Sequence, residues 1–297
     1  MFCVCCIIRV KVFLEATPKI IAQKSYKIYK GIKSMAYTDH IRRLLSYTRK
    51  AVDDYEMIKD NDKIAVGVSG GKDSLALLCA LAALRRFYPK KFELLAIYLD
   101  PGFDEAGFAD KEYCDAQRQK IKDICAELDV PLYIGETHIA QIIFNVRKEK
   151  NPCSLCARMR RGALHEAAKS QGFDKLALGH HFDDAVETFM MNLFNEGRIG
   201  CFSPVTYLDR RDITVIRPLI YAPEKDIRYF ANKAELPVTE SPCPADNDSE
   251  RSRMKEILRD FGKEYKGLKY RIFGAMQRGN VDGFKEVESM PVSSDDT

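Results

Sequence analysis

Nowhere in the 297 residues does an uninterrupted apolar run approach the ~18 residues that a membrane-spanning helix requires. The most hydrophobic windows are short and end in charges, so the sequence describes a protein that works in water, with no membrane partner. A convincing secretory signal is also missing. Ten cysteines in a chain of this length are dilute and unevenly spaced, which argues against a disulfide framework and for reduced thiols or metal ligands in the cytoplasm. Internal repeats and long low-complexity tracts are absent, and a composition of 46% hydrophobic and 30% charged residues excludes disorder of the whole chain.

An excess of charge of one sign is lacking too. Lys and Arg number 47 against 43 Asp and Glu. The first 35 residues contain seven basic residues and only Glu15 as an acid, and removing these leaves 40 against 42. The body is therefore formally −2, and net charge by itself does not argue for nucleic acid. The leader has the basic, acid-poor bias of a presequence, or of a signal peptide whose apolar run is broken at Arg9. Met35-Ala36, however, stands directly before the helix start Thr38-Asp39. Translation is expected to begin there, leaving residues 1–35 as an extension.

From Thr38 the apolar positions Ile41, Leu44, Leu45, Val52 and Ile58 suggest an amphipathic helix. The strand Lys63 to Val68 follows, then a glycine-rich loop and a helix from Leu75 to Arg86. The cycle repeats with strand Phe92 to Leu99, helix Asp110 to Leu128 and strand Pro131 to Ile134. It repeats again with helix Ser154 to Ser170, strand Lys175 to Leu178 and helix Asp183 to Asn195. This alternation predicts an α/β fold, a doubly wound parallel sheet with helices on both faces and ligands beyond the strand C-termini. After Arg217-Pro218-Leu219 it stops. Helices near Pro223 to Lys233, Ser249 to Phe261 and Lys263 to Gln277 predict a small helical C-terminal part, and the polar tail 291–297 reads as disordered.

The strongest chemical signal is Ser69-Gly70-Gly71-Lys72-Asp73-Ser74. Two glycines let the backbone approach an anion, a helix N-terminus adds partial positive charge, and Lys72, Ser69 and Ser74 supply donors. The loop is not a Walker A motif, because Val66 occupies the place of its first glycine and Asp73 follows the lysine. An acid inside a phosphate loop is tolerable with Mg²⁺ between it and the phosphates, the role assigned to Asp73. Asp183 and Asp184, after the fourth strand, reach the same crevice to serve Mg²⁺ or orient the substrate, unless one is simply a helix N-cap. Cys153 and Cys156 form a Cys-X-X-Cys at a helix start, suited to a metal, a cluster edge or a redox disulfide. Cys243, between Pro242 and Pro244, is the other presented cysteine, whereas Cys79 and Cys125 lie among apolar residues and read as core thiols.

Val68-Ser69-Gly70-Gly71-Lys72-Asp73-Ser74 resembles the pyrophosphate-loop (PP-loop) signature of the N-type ATP pyrophosphatases, and Gly179-His180-His181-Phe182-Asp183-Asp184 resembles their second motif. Pro152-Cys153-Ser154-Leu155-Cys156-Ala157-Arg158-Met159-Arg160-Arg161-Gly162 and Ile216-Arg217-Pro218-Leu219 are similar to the tRNA 2-thiocytidine synthetases, the TtcA family. That resemblance implies a PP-loop domain over 36–220 and a helical region over 221–290 carrying the third cluster cysteine. It implies ATP on Ser69 to Ser74 with Asp100, Gly179 and His180, and a [4Fe–4S] cluster on Cys153, Cys156 and Cys243. Lys72, Asp73, Arg160, Asp183 and Asp184 become the catalytic candidates. The implied reaction adenylates the C2 oxygen of an anticodon-loop cytidine in tRNA, releasing pyrophosphate, then replaces it with cluster-held sulfur from a cysteine desulfurase or free sulfide. A homodimer is a further expectation.

Chain and family differ at one point: the members with a second Cys-X-X-Cys at the third-cysteine site have no counterpart to it here, where Cys243 is followed by Pro244-Ala245-Asp246. Three alternatives remain at this stage. A tRNA 2-thiouridine synthetase shares loop and cluster, a lysidine synthase-like ligase shares the loop without needing the cysteines, and a structural zinc could replace the cluster. Arg158, Arg160 and Arg161, and the pairs Arg42-Arg43, Lys148 with Lys150, Arg210-Arg211 and Arg251 with Arg253, could track RNA phosphates if the fold gathers them.

Overall fold

Along Phe92 to Asp100, side chains alternate between two apolar layers. Leu94, Ala96 and Tyr98 enter one layer, Leu95, Ile97 and Leu99 the other. Such two-sided burial is what a central parallel strand requires. In the computed structural model, which describes residues 39–148, 152–245 and 250–286, six strands form one sheet: β1 (Asp62–Val68), β2 (Phe92–Asp100), β3 (Leu132–Glu136), β4 (Lys175–Ala177), β5 (Val205–Leu208) and β6 (Ile213–Ile216). The order is β3-β2-β1-β4-β6-β5. All pairs are parallel except β5 with β6. The expectations for 1–35, Thr38 and 291–297 lie outside the described residues.

From β1 the chain runs outward through β2 and β3 and returns to β1's other side as β4. Val66 accordingly pairs with Ala96 on one side and Ala177 on the other. This reversal opens a crevice beyond the C-terminal ends of β1 and β4, the place where open α/β sheets bind ligands. The glycine-rich loop leaves one strand there and Gly179-His180-His181 leaves the other.

Helices α1 (Asp39–Asp54), α2 (Lys72–Leu84) and α3 (Lys111–Glu127) share the larger apolar layer, while α4 (Pro152–Ser170) covers the opposite face through Ala167 and Ala168. Every residue of α2 from Ser74 to Leu84 is buried, as expected of a helix that is apolar all round. Helix α5 (Phe182–Glu196) is flanked by α7 (Glu250–Glu264) and α8 (Leu268–Arg278), and α6 (Glu224–Lys233) packs on α1 and α2. Among the described residues no helix is long and apolar enough to cross a membrane.

Three local features depart from the sequence reading. Helix α2 begins at Lys72, so Lys72, Asp73 and Ser74 form its first turn. The β5–β6 hairpin was not expected: its strands are four residues each and its antiparallel edge interrupts the βα rhythm. Gln141–Val146 is a π-helical turn, a rare form with no composition signature.

Phe182 ties the C-terminal helices to the sheet domain. It is 1% exposed, and its ring centre lies 4.8 Å from Tyr270 and 4.9 Å from Phe273 on α8. Phe182→Ala should lower the unfolding free energy by about 3–5 kcal/mol, as measured by urea titration.

Candidate active site

The phosphate loop is a closed ring of hydrogen bonds. The Ser74 hydroxyl accepts from the Ser69 N–H at 3.1 Å and donates to the Gly71 carbonyl at 2.9 Å, and the Gly71 N–H reaches Ser69 Oγ at 3.4 Å. Gly70 has φ +83°, and a Cβ there would lie 2.3 Å from Thr239 Oγ1. Glycine is required twice over, by the left-handed backbone and by the close approach. On the loop's other side a Cβ at Gly179 would lie 3.1 Å from the Asp73 carbonyl. The opening N–H groups of α2, which no helix satisfies from within, face the crevice between these supports.

The acids gather next. Lys72 Nζ sits 3.0 Å from both Asp73 Oδ2 and Glu224 Oε1. Burial opposes the charge on Glu224, but the Lys72 hydrogen bond and the charges of Lys72, Lys255 and His181 hold its carboxyl down at about 2. His181 caps α5: its Nδ1 accepts the Asp184 N–H at 3.4 Å while Asp184 Oδ2 accepts the His181 N–H at 3.0 Å, a reciprocal capping box. The N-cap is therefore His181, and neither Asp183 nor Asp184 takes that place. His181 Nε2 faces Asp73 Oδ1 at 3.7 Å and Asp184 Oδ2 at 3.4 Å. Asp73 Oδ1 is buried with no hydrogen-bond partner, the situation of an oxygen reserved for a cation, so Mg²⁺ fits here.

Bases reach these acids from the C-terminal helices. Asp183 accepts the Glu224 N–H at 2.7 Å through Oδ2 and Lys269 Nζ at 2.6 Å through Oδ1. Arg251 Nη1 donates to Asp184 Oδ1 at 2.6 Å, so this arginine points into the crevice and not onto an outer phosphate-tracking face. Glu187, one turn beyond Asp184, is fully buried and neither oxygen has a hydrogen-bond donor, although Arg251 stands 3.5 Å away and Lys255 4.0 Å. Burial, only partly offset by Lys255, together with the charge of Asp184 pushes its carboxyl up to about 7.

His180 and Asp100 make contacts of their own. His180 lies 4.9 Å from the Phe202 ring, whose centre the Arg217 guanidinium also approaches to 4.9 Å. Burial, with Arg217 adding, lowers His180 to about 4 and keeps the imidazole neutral. Asp100, at the end of β2, has one oxygen on Arg118 Nε at 2.6 Å and the other on the Gly102 N–H at 2.9 Å. Its carboxylate holds the Pro101–Gly102 turn to α3.

The cysteines converge from two directions. Cys153 and Cys156 stand on the first turn of α4, and the Cys153 thiol lies 4.0 Å from the Ala245 carbonyl, two residues beyond Cys243. Burial pushes the Cys156 thiol up, the positive charge and hydrogen bond of Arg160 pull it back, and Cys243 and Cys153 are near enough to raise it. Segment 237–245 delivers Cys243: the Thr239 N–H donates to the Gly70 carbonyl at 3.0 Å, and Tyr113 Oη and Gln117 Nε2 both donate to the Glu240 carbonyl at 3.0 Å. Among the described residues no three His, Cys, Asp or Glu side chains gather closely enough to hold one metal ion. Thiolates on a cluster bind different irons and need not share a centre. Cys79, Cys114 and Cys125 are buried.

A family model for the PP-loop domain matches residues 36–260. A protein of Pelobacter propionicus named tRNA-cytidine(32) 2-sulfurtransferase is 40% identical over 238 residues, which are 79% of this chain and 85% of that one. The chain belongs to that family. A Geobacter sulfurreducens protein of the same name is 38% identical, covering 83% and 93% of the two chains. The solved structure of the U34-tRNA thiolase NcsA from Methanococcus maripaludis, with its [4Fe–4S] cluster, superposes with a TM-score of 0.65 at 27% identity, covering 80% and 78%. ATP and a [4Fe–4S] cluster are the groups that these relationships support in the family's site.

Thr239, Glu224, Lys255, Lys269 and Glu187 escaped the sequence reading, since each acts across more than 30 residues or lies in an ordinary helical pattern. Gly70→Ala should weaken binding of a non-hydrolysable ATP analogue in calorimetry and cost about 1–3 kcal/mol of stability. Between pH 4.5, the ordinary glutamate value, and about 7, folded Glu187 holds a proton that the unfolded chain has lost. Stability must therefore fall as pH rises across that window. Glu187→Gln should remove this slope, seen in urea unfolding near pH 5 and near pH 8.

Proposed function

We propose that this chain replaces the C2 oxygen of an anticodon-loop cytidine in tRNA with sulfur, splitting ATP to AMP and pyrophosphate. Position 32 comes from the name of the relatives. The observation that carries the reading is segment 237–245, which touches the ATP loop at Gly70 and brings Cys243 towards Cys153 and Cys156. A ligase-type relative with the same loop has no use for that convergence.

The C2 oxygen is a poor leaving group until it bears a phosphate. It attacks the α-phosphorus of ATP, pyrophosphate departs, and an oxygen–phosphorus bond joins the base to AMP. Lys72 and the N–H groups at the start of α2 neutralise the leaving pyrophosphate, a chiefly electrostatic contribution. Asp73 would hold Mg²⁺ through its unpaired oxygen, and His181 holds Asp73 and Asp184 in register. Sulfur then bonds to C2, the C2–oxygen bond breaks and AMP leaves with the oxygen. Cys153, Cys156 and Cys243 would hold a [4Fe–4S] cluster, which would supply that sulfur. Arg160 stands beside Cys156 to place the adenylate phosphate near the sulfur. A stacked helix hides C2, so the cytidine must be turned out of its stack to reach the crevice.

The sulfur donor in this reading is free sulfide, or a cysteine desulfurase whose sulfane sulfur a two-electron reductant brings to the sulfide level; the compartment is the cytoplasm, where thiols stay reduced, and two copies form the working unit. Anaerobically purified protein should be brown and should release AMP and pyrophosphate with tRNA, and nucleoside mass spectrometry should detect 2-thiocytidine. Cys153→Ala should bleach the colour and abolish the product. Release of ADP, or a colourless anaerobic protein with stoichiometric zinc, would overturn the reading.

A further inference from the structure

The arginine pairs that the sequence scatters along the chain have different fates. Arg43 pairs with Asp226 at 3.3 Å, Arg251 is drawn to Asp184, and Arg118 is clamped by Asp100 and Asp115. Arg158, Arg161, Arg210 and Arg211 are exposed, and among the described residues none of them has a carboxylate within ion-pair distance. The nearby carboxylate of Asp212 is already taken by Lys169 at 3.0 Å and by Tyr207 Oη at 3.0 Å.

Two of these arginines share a helix face and two share a turn. Arg158, Arg161 and His165 are spaced i, i+3 and i+7, which places them along one stripe of α4. Arg210 and Arg211 occupy the short 3-10 turn Asp209–Arg211 between β5 and β6. Burial and the charges of Arg211 and Arg161 lower the His165 imidazole. Lys169 Nζ on α4 lies 3.0 Å from the Asp212 carboxylate, which sets the end of the β5–β6 turn beside this helix. His165 is 7% exposed, and its Nε2 is buried without a hydrogen-bond partner.

We infer that Arg158 and Arg161 on one stripe of α4, with Arg210 and Arg211 of the β5–β6 turn, form the surface on which the RNA phosphate backbone lies while the target base enters the crevice. This rests on the tRNA reading above. Guanidinium forks match phosphate oxygens, and among the described residues no carboxylate lies within ion-pair distance of these four. An acidic protein docking on the same arginines is the rival occupant.

The test is tRNA affinity as a function of salt, measured on the cluster-loaded full chain. A double variant Arg161→Gln/Arg211→Gln should bind tRNA about tenfold more weakly and flatten the plot of log affinity against log salt by about 2, roughly one per phosphate contact. Affinity for an ATP analogue and iron content should match the parent, which shows that the variant is folded. Arg161→Lys/Arg211→Lys should restore most of the slope, because an ammonium still neutralises a phosphate. An unchanged slope overturns the inference. So does a variant that binds tRNA normally but fails only when sulfur comes from a protein donor, because that outcome assigns the face to protein docking. Parent protein that binds tRNA with a steep salt slope yet makes no 2-thiocytidine would instead sink the reading of the reaction and leave the surface standing.

Discussion

One backbone hydrogen bond, from the Thr239 N–H to the Gly70 carbonyl at 3.0 Å, joins the two chemical halves of this protein. With Gly70 at φ +83° and its missing Cβ leaving room for the Thr239 side chain, loop and strap are built around each other. Cys243 lies four residues beyond Thr239, so it can stand no more than ~14 Å of chain away from that contact. The Glu240 carbonyl, held by Tyr113 and Gln117, keeps part of that length from being slack. On the reading proposed above, sulfur delivery and adenylation therefore share one ruler. A displacement of the phosphate loop is a displacement of the third cysteine.

The same economy governs charge. Asp73, Asp183, Asp184, Glu187 and Glu224 crowd one end of the sheet, an arrangement that would repel itself without counter-charge. Lys72 is the only base that the loop itself contributes; Arg251, Lys255 and Lys269 arrive from α7 and α8. These helices thus act as the electrostatic complement of the crevice and not merely as a cap on α5. Within the cluster the acids are not equivalent. Asp183 is consumed by the α6 backbone and Lys269, and Asp184 by the α5 cap and Arg251, whereas Asp73 keeps a buried oxygen unpaired. That difference makes Asp73 the better partner for a cation bridging to phosphate.

Much of the architecture was legible because it is local. The strands of the parallel core are continuous apolar runs, and the glycine loop is six adjacent residues. The β5–β6 hairpin escaped because Val205–Leu208 and Ile213–Ile216 are short and flank the polar Asp209-Arg210-Arg211, which reads as a loop. The site was legible where its chemistry sits in contiguous motifs, at Ser69 to Ser74, Gly179 to Asp184 and Cys153 to Arg161. It was illegible where a residue's role depends on its partner. Nothing in Thr239, Lys269 or Glu187 marks them before the fold places Gly70, Asp183 or Asp184 opposite. Asp100 is a further case: nothing in its sequence neighbourhood marks the Arg118 contact that the fold gives it.

Helix α4 then accounts for how sulfur chemistry and RNA binding can share a segment without interfering. Cys153, Cys156 and Arg160 follow one stripe, and Arg158, Arg161 and His165 follow another, displaced by five residues and so by about 140° around the axis. A single helix can present thiols and one arginine to the crevice while turning its remaining arginines outward. The difference shows in the side chains themselves: Arg160 is half-buried beside Cys156, while Arg158 and Arg161 are exposed. A run that looks uniformly basic in sequence is thereby divided by helical geometry, and on the readings proposed above the arginine nearest the cysteines serves the reacting phosphate and the others the backbone that carries the base.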